Sequence, residues 1–104
     1  MNYNHFMTEV IQSETFKRWH EGIKDRQAVL RISARLSRVM DGNFGAVKPV
    51  RDGVNELRID YGPGYRVYFK QSGLVVIVLL GGGTKRTQDA DIDAAVALAK
   101  DWKD

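Results

Sequence analysis

The chain has 104 residues, 43% of them hydrophobic, with no cysteine and a formal net charge of +3. That is enough for one compact domain spanning 1–104 with its own core, and it excludes a disulfide framework and any cysteine-ligated zinc site. The longest apolar run, Leu74–Leu80, is too short to cross a bilayer, and the N-terminus lacks the layout of a secretion signal, so a cytoplasmic protein without membrane contact is expected.

Residues Phe6 to Ile11 mix β-forming side chains after a polar start and predict a first strand. Ser13 then caps a short helix ending at Gly22, with Phe16 and Trp19 inward and Lys17 and Arg18 outward. A second helix starts at the N-cap Asp25 and stops at Asp41-Gly42-Asn43, and Val29, Ile32, Leu36, Val39 and Met40 recur at its inner spacing. Its outer side carries Arg31, Arg35 and Arg38 at i, i+4 and i+7. This stripe reads as a solvated face, or as a docking track for phosphates or an acidic segment.

Asn43-Phe44-Gly45 forms a loop, and Ala46–Arg51 a short strand that Pro49 makes irregular or an edge. The Asp52-Gly53 turn pairs that strand with Val54–Asp60 as a hairpin, with Lys48 near its polar side. Alternation sorts the side chains of the next two strands. Asn55, Leu57, Ile59 and Tyr61 share one face and Val54, Glu56, Arg58 and Asp60 the other. After the turn Gly62-Pro63-Gly64, Tyr65, Val67 and Phe69 are apolar-facing, while Arg66, Tyr68 and Lys70 oppose them. With both apolar faces turned to the helices, Glu56, Arg58, Arg66 and Tyr68 converge on one polar surface. There Arg66 either makes a cross-strand salt bridge to Glu56 or serves a ligand.

After Gln71-Ser72-Gly73, Leu74–Leu80 predicts a central strand buried on both faces. Gly81-Gly82-Gly83-Thr84-Lys85-Arg86 reads as a flexible glycine turn presenting two bases; it lacks P-loop spacing, which rules out ATP or GTP binding. Thr87 caps a last helix with Asp89, Asp91 and Asp93 in its first turns and Ile92, Ala95, Val96, Ala99 and Trp102 along its inner stripe. Trp19 and Trp102 read as packing residues, and His5 and His20 as exposed and uninvolved. Residues 87–104 hold five acids and two bases, a net −3, which leaves +6 for residues 1–86. A basic body of that kind suits nucleic acid or an acidic protein partner. The element order predicts an α+β domain: two N-terminal helices and a C-terminal helix on one side of a largely antiparallel sheet of four to five strands.

The chain resembles the RelE/ParE toxin superfamily, and within it the HigB-like addiction module killer proteins. The resemblance rests on Phe16 to Trp19, Ile32 with Arg35-Leu36, Gly42-Asn43-Phe44-Gly45, and Gly53-Val54-Asn55-Glu56-Leu57-Arg58-Ile59. It continues through Gly62-Pro63-Gly64-Tyr65-Arg66-Val67-Tyr68-Phe69 and through Gly82-Gly83, Lys85, Gln88, Asp91 and Ile92. It implies the small RelE-like fold and a type II toxin held inactive by a cognate antitoxin, a small helix-turn-helix protein. It also implies cleavage of messenger RNA on the ribosome with no cofactor or metal. ParE-like members instead poison DNA gyrase, and a binding-only module is a third reading.

Carried over by position, Arg66 matches the arginine that contacts the scissile phosphate, and Arg58 a basic position on the preceding strand. Glu56 falls where some members carry lysine, and Lys85 and Arg86 lie where another phosphate-binding base is placed. Attack by a ribose 2′-hydroxyl needs a base, positive charge at the phosphate, and an acid for the leaving oxygen. The expected roles are charge from Arg66 and Arg58, base from Glu56, stacking or proton donation from Tyr68, and phosphate binding from Lys48, Lys85 and Arg86. Several relatives use a C-terminal histidine or tyrosine for acid–base work. Here the histidines are His5 and His20, and no tyrosine follows Tyr68.

Overall fold

The computed structural model describes residues 8–73 and 76–102. In chain order these form strand β1 (Glu9–Gln12), helices α1 (Glu14–Glu21) and α2 (Arg26–Met40), and strands β2 (Val47–Arg51), β3 (Val54–Ile59), β4 (Tyr65–Ser72) and β5 (Val76–Thr84). A 3-10 turn over Lys85–Thr87 then leads into helix α3 (Gln88–Asp101). The strands make one sheet in the order β1-β5-β4-β3-β2, antiparallel except that β1 runs parallel to β5. Of the expected first strand, Glu9 to Ile11 fall within β1; Phe6 and Met7 lie outside the described residues, as do His5, Leu74 and Val75.

The element boundaries follow local chemistry. Ser13 Oγ accepts the Phe16 backbone N–H at 3.0 Å, and Asp25 Oδ1 accepts those of Gln27 and Ala28 at 3.0 and 3.3 Å. Each cap satisfies donors that the first helical turn leaves open. At the β2–β3 hairpin Asp52 and Gly53 both take positive φ, 50° and 81°, as a two-residue primed turn requires.

The helices do not share one side of the sheet, which corrects the one-sided expectation. α1 and α2 cover the face carrying Leu57, Ile59, Val67, Phe69, Ile77 and Leu79, and they bury Phe16, Ile32 and Val39 against it. α3 covers the opposite face, where Ala95 and Val96 pack on Val54, Tyr68, Val78 and Leu80. The physical reason is that β4 and β5 carry large side chains on both faces, so a single helical layer leaves one row in water. Burying each such side chain contributes roughly 1.5–3 kcal/mol, so the second layer forms around this row as surely as the first. On α2, Ala28 is buried and Met40 is exposed, and Leu98 joins the α3 stripe. His20 is half-buried and stacked on Phe16 at 5.4 Å between ring centroids, not exposed as expected.

The glycine run also differs from expectation. Gly81, Gly82 and Gly83 are not a flexible turn but the last part of β5, paired with Tyr68, Val67 and Arg66. A side chain at Gly82 would overlap the Trp19 indole, and one at Gly83 the Asp91 carboxylate. The glycines are therefore where α1 and α3 press on the strand backbone from either side. The pairing passes from Phe69↔Leu79 to Tyr68↔Gly81, leaving Leu80 extra; this bulge sets which face of the sheet Gly83 shares with Arg66.

Candidate functional site

Two cross-strand rows of the sheet define the site. Lys48, Glu56 and Tyr68 lie in one cross-strand row and Arg58, Arg66 and Gly83 in the next but one, on the face that α3 covers. Glu56 is the centre and is 0% exposed. Its Oε1 accepts Arg58 Nε at 3.0 Å; its Oε2 accepts Gln88 Nε2 at 2.7 Å and the Tyr68 hydroxyl at 3.4 Å. Arg66 Nε sits 3.3 Å from the same Oε2 without hydrogen-bond alignment, a charge contact, while its Nη1 donates to the Gly64 carbonyl at 3.0 Å.

The two arginines are held differently. The Arg66 side chain is 8% exposed and is fixed from two directions, whereas Arg58 is 48% exposed with one grip on Glu56. Gly64, at φ 81°, is the other fixed point. Its carbonyl also accepts the Lys85 backbone N–H at 2.9 Å, and a Cβ there would lie 3.2 Å from Arg66 Nη1 and 3.5 Å from Lys85 Cβ. A side chain at this position would wedge between the two bases.

Burial alone would raise the Glu56 pKa, but hydrogen bonds from Arg58 and Gln88 and the charge of Arg66 outweigh it, and the carboxyl ionises below its usual range. Burial first, and then the Glu56 and Asp91 carboxylates, push the Tyr68 phenol far above its ordinary value. Tyr68 is 0% exposed and remains a neutral donor at physiological pH.

The structure thus joins Glu56, Arg58, Arg66 and Tyr68 directly. Lys48, exposed, lies opposite Glu56 and lines a small hollow with Arg58, and Lys85 meets the site through Gly64. Arg86 stands on the exposed turn beside Lys85, lining a hollow with Gln88. The expected polar surface is in large part an interior. Only Arg58 and the three flanking bases offer substantial charge to solvent. Sequence reasoning assigned no role to Gln88, although it stands in the segment that carries the family resemblance. Nor did it find the linkage of Thr87 to both Asp91 and Thr84, which pins the start of α3 beside β5.

No family model matches the chain. Its fold is shared with a chain of the RelBE2 toxin–antitoxin complex of Mycobacterium tuberculosis, with a TM-score of 0.59 at 17% identity over 76% of this chain and 99% of that one. An uncharacterised protein of Haemophilus influenzae is 49% identical over 87 residues, covering 84% of this chain and 88% of its own. At that identity and coverage the chain belongs to the same family as the Haemophilus influenzae protein.

Proposed function

We propose that the chain is the toxin of a toxin–antitoxin pair, that it cleaves messenger RNA on the ribosome, and that a small cognate antitoxin is the partner that restrains it. The observation that carries this reading is the arginine pair Arg58 and Arg66, directly opposite on adjacent strands and tethered to one buried carboxylate. Two guanidiniums held side by side would repel without Glu56; with it they form a preset positive site for a phosphate. The shared fold with a chain from a toxin–antitoxin complex supports the same reading.

In this mechanism Arg66 is the fixed charge, and the half-exposed Arg58 turns from Glu56 to the crowded phosphate as it gains charge. Lys48, Lys85 and Arg86 hold neighbouring phosphates. Glu56 acts as a positioning residue in place of the base, because its oxygens are occupied by donors and its pKa is lowered. Tyr68 braces Glu56 from within. Proton transfer then falls to groups of the ribosome.

One observation favours the second reading, a poison of DNA gyrase: both candidate acid–base groups, Glu56 and Tyr68, are wholly buried. The deciding experiment is induction of the chain in growing cells with RNA ends and DNA breaks mapped together. New ends within translated messages are expected, and Arg66→Ala should remove them while the purified variant stays folded, with a loss on the order of 10²–10³ in rate. Double-strand breaks with intact messages would overturn the nuclease reading.

A further inference from the structure

A second basic feature lies outside the Glu56 cluster. A cleft of about 480 Å³ runs between the outer side of α2, the 43–46 loop and the end of β3. Arg31, Arg35, Arg38 and Arg58 line it, with Asn43 at the loop and Asp60 as its acid. Among the described residues no carboxylate stands within ion-pair distance of Arg31, Arg35 or Arg38. Burial first, and then the charge of Arg38, lower the Arg35 pKa.

The cleft is built, not an accident of exposed side chains. Arg35 donates to the Phe44 carbonyl at 2.6 Å and to the Ala46 carbonyl at 3.0 Å, which clamps the loop to the helix. Gly45, at φ 63°, leaves room for that guanidinium; a Cβ there would lie 2.9 Å from Nη2. Arg31 lies over the Tyr61 ring, 4.6 Å from its centroid. The helical rise sets Arg31 and Arg35 about 6 Å apart along the axis, and Arg35 and Arg38 about 4.5 Å apart. Arg58 lines this cleft and also the hollow with Lys48, and it bonds Glu56 beside Arg66.

We infer that this cleft is the track along which the phosphate backbone of a single-stranded RNA is led to Arg58 and Arg66. The inference rests on the nuclease reading. An amphipathic peptide needs pockets for large apolar anchors, whereas the apolar side chains of this lining are Ala34, Ala46 and the buried Ile59, set among four guanidiniums. Sequence-independent backbone contact needs only spaced cations, which the α2 stripe supplies.

The test is fluorescence anisotropy of a short fluorescein-labelled single-stranded RNA, titrated with the purified chain at rising salt, for wild type and Arg31→Gln/Arg38→Gln. Arg35 is left intact because it holds the loop, and the melting temperature of each variant serves as the folding control. Loss of two phosphate contacts should reduce the slope of log affinity against log salt by about 1.4. Arg31→Lys/Arg38→Lys should restore it. An unchanged slope in a folded double glutamine variant overturns the track. So does an acidic peptide whose binding needs these arginines while RNA binding does not, because the cleft then belongs to a protein partner. If wild type yields RNA ends in cells but the slope is unmoved, the track fails and the nuclease reading stands. If the slope drops but cells show no new RNA ends, the cleft binds RNA and the nuclease reading falls.

Discussion

Replacing Glu56 by glutamine keeps its shape, removes its charge and leaves a buried arginine without its counter-ion. The Oε1 side faces Arg58 Nε, and the Oε2 side faces Gln88 Nε2, the Tyr68 hydroxyl and Arg66 Nε. An amide has one acceptor oxygen, so in either orientation its NH₂ group opposes at least one donor. Arg58, half in water, is able to turn away at little cost. Arg66, 8% exposed, cannot, and its charge stays buried and unpaired. Breaking a buried pair in this way costs about 3–5 kcal/mol. For a domain of this size that is a drop of roughly 15–25 °C in Tm. Urea unfolding of wild type and Glu56→Gln at neutral pH measures it directly.

The pH dependence adds a second check. The folded carboxyl ionises below its unfolded value, so its stabilisation is full above the ordinary carboxylate pKa of about 4.3 and fades as pH falls through the folded value. The stability gap between wild type and Glu56→Gln should stay level down to about pH 5 and narrow in more acid solution. A loss of less than about 1 kcal/mol at neutral pH, or a gap that widens on acidification, would refute the role of Glu56 as the counter-ion that holds Arg66.

Two further outcomes concern the frame around the site. Gly83→Ala places a methyl group on the Asp91 carboxylate and 2.9 Å from Thr87 Oγ1, so the Asp91 side chain must swing out and break its hydrogen bond to Thr87 or α3 must shift; an overpacking cost of roughly 1–3 kcal/mol is expected by chemical denaturation. Ser13→Ala removes the buried cap on the Phe16 N–H and should cost about 1 kcal/mol, read as a lower thermal midpoint with an unchanged far-ultraviolet spectrum of the folded state.

Much of the fold is legible in the chain because local chemistry and alternation agree. Ser13, Asp25 and Asp52-Gly53 carry their caps and turn in their own side chains and dihedral preferences, and all three stand where the chain predicts. The sorting of Leu57, Val67 and Phe69 from Glu56, Arg66 and Tyr68 is a period-2 consequence that no tertiary contact overrides. The position of α3 escapes a strand-by-strand reading, although its signal is present. A strand whose successive residues Ile77 to Leu80 are all buried requires a cover over the face shared by Val78, Leu80, Tyr68 and Glu56. Following that requirement places α3 over the polar cluster and turns an expected surface into an interior. Gln88 is hidden for a related reason: a glutamine at a helix start has many uses, and only the crossing of α3 over β3 gives this one its partner. The glycine run misleads because composition suggests freedom, while here it records close approach.

That run has a consequence for how the two sides of the molecule communicate. At Gly82 and Gly83 the sheet is one backbone thick, with the Trp19 ring against one side and the Asp91 carboxylate against the other. Elsewhere two layers of side chains separate the helical coats and absorb small displacements. Here only the strand backbone lies between the Asp91 side chain of α3 and the Trp19 indole of α1. Trp19 fluorescence is therefore the place to look for displacement of α3, and a substitution at Asp91 that shifts its emission would register across the sheet.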